Sequence, residues 1–169
     1  MAQRRFHYDQ AFEQYLRANT IPYVAVDEAK RALQGASAPV TLKSFDFVVY
    51  SEHGPNLLVD VKGRKHGGRS TKSLDNWVTA EDVASLEKWE RIFGAGFLGA
   101  FAFLYWCDAQ PPDALFTEVF ESGGRWYALL AVKLSDYRQH LKRRSQKWET
   151  VCMPAKEFAA LARPLKEML

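Results

Sequence analysis

Residues 45–62, FDFVVYSEHGPNLLVDVK, decide how the rest of the chain is read. Two apolar runs, Phe45 to Tyr50 and Asn56 to Lys62, flank Ser51-Glu52-His53-Gly54-Pro55, whose composition is that of a hairpin loop. Side chains alternate along a strand, so Leu57, Val59 and Val61 share one face while Leu58, Asp60 and Lys62 share the other. An acid and a base are poor choices for the centre of a core, and Asp46 interrupts the first run in the same way. Setting Asp46 opposite Asp60 leaves a five-residue loop, a common length, and brings the two β carbons to roughly 4.5–5.5 Å. Like charges that close force one pKa upward unless a cation lies between them. Carboxylates converging in this way suit a hard divalent ion such as Mg²⁺, with water and substrate phosphate filling its other positions. Lys62 would then serve an attacking water or the charge that develops on a phosphodiester. The competing reading is a satisfied polar cluster at a strand end with no chemistry.

Outward from this hairpin, Tyr8, Ala11, Phe12, Tyr15 and Leu16 form the apolar stripe of an amphipathic helix, Tyr8 to Ala18, followed by a short strand, Tyr23 to Val26. Asp27 to Gln34 reads as a loop or short helix closed by Gly35. Downstream, Thr79-Ala80-Glu81-Asp82 is a capping box with Asp in place of Glu or Gln. It opens a helix that buries Val83, Leu86, Trp89 and Phe93 and stops at Gly94. Phe97 to Trp106 is a strand long enough to cross the middle of a sheet. Helix, three strands, helix and strand predict an α/β (α+β) fold with a mixed sheet flanked by helices. Leu115 to Phe120 and Trp126 to Val132 read as a hairpin around Ser122-Gly123-Gly124, Asp136 to Gln146 as a basic helix capped by Ser135, and Trp148 to Met153 as a strand. Ala155 to Ala162 reads as a helix with Pro154 at its first position. The 169 residues form one domain, with a core over about 8–106 and a C-terminal addition over about 114–169.

This arrangement resembles the PD-(D/E)XK nuclease superfamily over roughly residues 8 to 106. The resemblance implies a restriction-endonuclease-like αβββαβ core, Mg²⁺ (with Mn²⁺ as a substitute) held by Asp46 and Asp60, Lys62 as the catalytic lysine, and hydrolysis of nucleic acid, DNA before RNA. It assigns Glu13, on the first helix, to the metal site as well. The helical wheel offers Glu13 a second role, since it lies at the edge of the apolar stripe with Arg17 at i+4. Phe45 replaces the proline that names the superfamily, and the second acid is Asp60 rather than Glu. The polar residue that many members carry on the following helix falls near Ser85. His7-Tyr8-Asp9-Gln10-Ala11-Phe12-Glu13 is also similar to the opening of the uncharacterised HYExAFE family.

A substrate surface is suggested by charge. Residues 61–74 hold Lys62, Arg64, Lys65, Arg69 and Lys72 without an acid, and residues 137–148 hold Arg138, Lys142, Arg143, Arg144 and Lys147, again without one. Each run carries five positive charges in a chain whose total is +3, so the remainder is acidic at −7. Such clusters neutralise phosphates, and a charge run is also the ordinary composition of a solvated face. Arg64, Lys65, His66, Arg69, Lys72, Arg143 and Arg144 are the candidate nucleic-acid contacts, although His66 is equally a plain loop residue. Trp77 stands beside the first run as an aromatic able to stack on a base. Trp89, Trp106, Trp126 and Trp148 lie in apolar elements and read as core.

Other classes are disfavoured. Cys107 and Cys152 lack ligand or redox spacing. The uncharged stretch 92–107 is shorter than the roughly 20 residues a membrane span needs and is broken by glycines, and the N-terminus turns polar at once. A cytoplasmic protein without a membrane partner is expected. The alternative to a nuclease is a non-catalytic nucleic-acid-binding module with the same fold. A homodimer suits an enzyme that cuts two strands, and the hairpin Leu115 to Val132 offers it an edge.

Overall fold

The computed structural model describes residues 2–26, 42–72 and 74–169; the segment Asp27 to Gln34 lies outside them. Helix α1 (Ala2–Ala18) leads through β1 (Tyr23–Ala25) to β2 (Phe47–Val49) and β3 (Asn56–His66). Next come β4 (Val78–Thr79), α2 (Ala80–Phe93) and β5 (Phe97–Cys107). The C-terminal part holds β6 (Val119–Ser122), β7 (Arg125–Lys133), α3 (Leu134–His140), β8 (Lys142–Ser145), β9 (Thr150–Cys152) and α4 (Ala155–Leu161). Strands β1, β2, β3, β5, β7 and β6, in that order, form a six-stranded sheet, while β4, β9 and β8 form a smaller one. The β3–β5 pair is parallel and every other pair is antiparallel.

Alternation along β3 and β5 divides the interior into two cores. Leu57, Val59, Val61, Ala100, Ala102 and Leu104 meet Ala11, Phe12, Tyr15 and Leu16 of α1. Leu58, Phe101, Phe103 and Tyr105 meet Val83 and Leu86 of α2, Leu134 and Tyr137 of α3, and Phe158 of α4. Helix α2 therefore covers the face that also bears Asp60 and Lys62.

Several boundaries differ from those the sequence predicts. Strand β3 does not end at Lys62 but runs on to His66, because β5 offers a parallel partner for all of it: Gly63 pairs with Leu104, and His66 with Cys107. The first half of the basic run is thus strand rather than loop. At Gly63 the α1 side is closed by Tyr8, whose ring occupies the space a β carbon would need. Gly63→Ala is expected to cost about 1–3 kcal/mol in urea unfolding, and trimming Tyr8 to Ala in the same chain should return part of it. The predicted basic helix is also two elements. Helix α3 begins at Leu134 without a side-chain cap, and Leu141 turns extended so that Lys142 and Arg143 pair with Cys152 and Val151. The strand predicted at Leu115 starts later, at Val119, and Gly123 and Gly124, both at positive φ, close a tight turn into β7. Pro154 caps α4 rather than opening it, and Trp148 is exposed rather than core.

Candidate active site

Over 47–49 and 57–59 the predicted hairpin register is the observed one, with Phe47 opposite Val59 and Val49 opposite Leu57, but the ladder stops short of the expected Asp46–Asp60 pair. Asp46 sits one residue before β2. Its N–H donates to the Val59 carbonyl at 2.9 Å, and its own carbonyl accepts from Val26 N–H at 2.9 Å. Its Oδ2 accepts from Val61 N–H at 2.7 Å, so a side chain continues the bonding where the short strand stops. Phe45 is buried edge-on against Trp89 and Phe93, which fastens this end of the strand to α2. An apolar anchor thus stands where the superfamily pattern has proline.

Asp60 and Lys62 are 7% and 6% exposed. The Lys62 ammonium lies 3.0 Å from Asp60 Oδ2 and 3.0 Å from Asp82 Oδ2, bridging the strand to the first turn of α2. Asp82 is held there by the capping box: its N–H donates to Thr79 Oγ1 at 3.0 Å, and its Oδ2 accepts from Thr79 N–H at 2.9 Å. Its other oxygen pairs with the Lys43 ammonium. Lys43 is itself fixed, since its N–H donates to Ser85 Oγ at 3.3 Å and its carbonyl accepts from Trp89 Nε1 at 2.9 Å. Neither Lys43 nor Asp82 is singled out by sequence as part of the site. Asp82 is legible there as a cap, but its second duty depends on how α2 packs on the sheet.

Lys43, Asp82, Lys62 and Asp60 form one ion cluster, Asp46 acts on Asp60 through its charge, and Asp60 and Asp82 titrate far apart. Burial raises the Asp60 carboxyl to about 7, with the Asp46 and Asp82 charges adding to the rise and Lys62 opposing it. Burial also pushes Asp82 upward, but Lys62, Lys43 and the Thr79 N–H outweigh it and hold that carboxyl well below the usual range. Asp82 is a permanent anion, whereas Asp60 gives up its proton near neutrality.

The Asp60 shift is chiefly the cost of burying its charge, to which the neighbouring Asp46 and Asp82 charges add; carboxylate oxygens are the donors a hard divalent ion prefers. Among the described residues no group of three or more His, Cys, Asp or Glu is arranged as a metal cage. Asp46 is near enough for its charge to act on Asp60, and the two offer the type of oxygen donor such an ion takes.

The other candidates are dispersed. Glu13 Oε1 accepts from Arg17 at 3.0 Å and from the Tyr23 hydroxyl at 2.7 Å, on the α1 side of the sheet. That is the ion pair its i,i+4 spacing allows, and the structure does not bring Glu13 together with Lys62. Ser85 serves the Lys43 backbone. Arg64 is pinned on β3, where it donates to the Gly63 carbonyl at 2.8 Å and to the Trp77 carbonyl. The His66 ring bonds the Ser70 carbonyl at 2.8 Å. Lys65 points to the α1 side, 3.6 Å from Asp108. Arg69, Lys72, Arg143 and Arg144 are exposed.

No family model and no curated protein matches the chain. Among solved structures it is similar to the 1.6 Å structure of Hjc from Archaeoglobus fulgidus, a Holliday junction resolvase from an archaeal hyperthermophile. The likeness covers 95% of each chain at a TM-score of 0.54 and 15% sequence identity. The chain has the PD-(D/E)XK nuclease fold. In this restriction-endonuclease-like frame, β6 to β9, α3 and α4 are the additions to the core. Among the described residues no helix is long and apolar enough to cross a membrane.

Proposed function

We propose that the chain is a divalent-metal-dependent nuclease that hydrolyses DNA phosphodiester bonds. The observation that carries this reading is the buried Lys62 ammonium held between Asp60 and Asp82, beside Asp46, on a PD-(D/E)XK nuclease fold. Asp46 and Asp60 would hold Mg²⁺, or Mn²⁺ in its place, which supplies Lewis-acid charge at the scissile phosphate and lowers the pKa of a bound water. Lys62 has three N–H donors and spends two on carboxylates. The third is available for a phosphate oxygen as charge builds in the transition state. Asp82 touches no substrate in this scheme. It positions Lys62, and Lys43 balances its second oxygen.

Arg69, Lys72, Arg143 and Arg144 would dock the nucleic-acid backbone, which predicts binding that weakens steeply with salt. A two-fold enzyme would use the β6 edge of the large sheet. The purified chain is expected to cut one or more DNA forms with Mg²⁺ or Mn²⁺, and Asp46→Asn is expected to slow cleavage by about 10²-fold or more. Salt-sensitive DNA binding with no cleavage of any form would instead favour a binding module. That second reading draws on Lys62 being paired on two sides and on Glu13 lying away from it.

A further inference from the structure

Two cations lie over the Trp77 ring, and they are built differently. Arg64, two residues beyond Lys62 on the same face of β3 and about 7 Å further along it, lies 4.0 Å from the ring centroid. Its guanidinium is fastened to the Gly63 and Trp77 carbonyls, and its buried Nε has no hydrogen-bond partner. Fastened at both carbonyls, this arginine holds the indole in one plane. The second cation, Arg144, approaches at 5.3 Å from the exposed strand β8. Trp77 also leads directly into β4, and Thr79 caps the helix that carries Asp82, so the platform is tied to the ion cluster from both sides.

We propose that Trp77 is a stacking platform for an unpaired DNA base, entered between the indole and the Arg144 guanidinium, so that the preferred substrate carries single-stranded nucleotides next to the bond to be cut. This deepens the nuclease reading and rests on it for the cleaved bond alone. An indole offers every base the same π-face, and a guanidinium on the far side adds a second stacking plane and a charge for the adjoining phosphate. Lys142 and Arg143, exposed on the same strand, extend the track for the backbone. A base inside a duplex has no free face, so a platform of this kind discriminates strand state rather than sequence.

The test is fluorescence anisotropy of a labelled single strand and of the blunt duplex of equal length, with the full chain in EDTA so that nothing is cut. Trp77→Ala and Arg144→Ala are each expected to weaken single-strand binding by about 5- to 100-fold while changing duplex binding far less, and Trp77→Phe to keep most of the affinity. Trp148→Ala, which removes an exposed indole elsewhere, should change neither. Equal loss of single-strand and duplex affinity in Arg144→Ala, or no loss in either variant, overturns the proposal. If Trp77→Ala does not fold, Arg144→Ala decides, because its side chain is exposed. A chain that prefers single strands through Trp77 yet never cuts leaves the platform standing and removes the nuclease. A chain that cuts DNA with Trp77 and Arg144 both dispensable does the reverse.

Discussion

Lys62→Met is expected to reduce DNA cleavage by about 10²- to 10³-fold and to destabilise the folded chain by roughly 3–5 kcal/mol near pH 8. Both effects have one origin. Lys62 is the cation between Asp60 and Asp82, and a thioether of similar length leaves two buried carboxylates facing each other with Lys43, on the far oxygen of Asp82, as the remaining counter-charge. The destabilisation should shrink in acid, where Asp60 takes up a proton and the repulsion disappears. Single-turnover cleavage and urea unfolding at pH 5 and pH 8 measure the two effects separately. Lys62→Arg is the informative companion: it restores charge and with it much of the stability, but a planar fork does not reproduce the ammonium geometry, so cleavage should stay low. A Lys62→Met chain that cuts at the original rate would end the assignment.

Asp60→Asn is expected to act in opposite directions on stability and on activity. The folded chain holds the Asp60 proton up to about pH 7, whereas an ordinary aspartate releases it near 3.8. Between those values the folded state binds more protons than the unfolded one. The contribution of Asp60 is therefore fully present in acid and is lost as pH rises through about 7. Asparagine has no such penalty, so the melting temperature of Asp60→Asn relative to the parent chain should climb across this window. By pH 8 the difference is on the order of a few kcal/mol. Asp82 works the other way: its carboxyl lies below the usual range, so its stabilisation persists from neutral pH downward and disappears only in strong acid.

The same substitution removes a carboxylate from the proposed metal site, so cleavage should disappear while the protein becomes harder to melt. A destabilising charge kept where chemistry needs it is a familiar trade between stability and function. Magnesium should reveal it in the parent chain. An ion that takes the place of the Asp60 proton stabilises the folded state more at pH 8 than at pH 5.5, and gives Asp60→Asn little or nothing. A metal-induced melting shift that is the same at both pH values, or is retained in Asp60→Asn, would rule out Asp60 as a ligand of the ion.

What could be read from the sequence follows from how local each feature is. Asp46, Asp60 and Lys62 stand out because a two-residue period makes a charge on a core face conspicuous, and the loop 51–55 leaves little freedom of register. Lys43 and Asp82 did not stand out, because their contact with the site depends on the packing of α2 over β3, for which one sequence offers no period. Gly63, Gly67 and the charges among them look like loop, and only the full-length parallel partner β5 shows that the strand continues to His66. That continuation changes the meaning of the basic run: Arg64 and His66 are fastened, and Arg69 and Lys72 remain exposed to meet a phosphate. At residues 142–145 the helical expectation failed because the pairing partner, β9, comes later in the chain. Glu13 was ambiguous for a geometric reason, since a residue at the edge of a helical stripe reaches either an i+4 partner or a neighbouring element. Here it does both, bonding Arg17 and Tyr23.

In the proposed mechanism Asp46 and Asp60 bind one divalent ion beside Lys62. Anomalous diffraction from crystals of the full chain grown with Mn²⁺ at pH 8 tests it directly. A single strong peak is expected within bonding distance of one oxygen of Asp46 and one of Asp60, with the Lys62 ammonium next to it and no such peak in Asp60→Asn crystals. A saturated crystal with no manganese between those two carboxylates, or with the ion bound elsewhere on the chain, would contradict it.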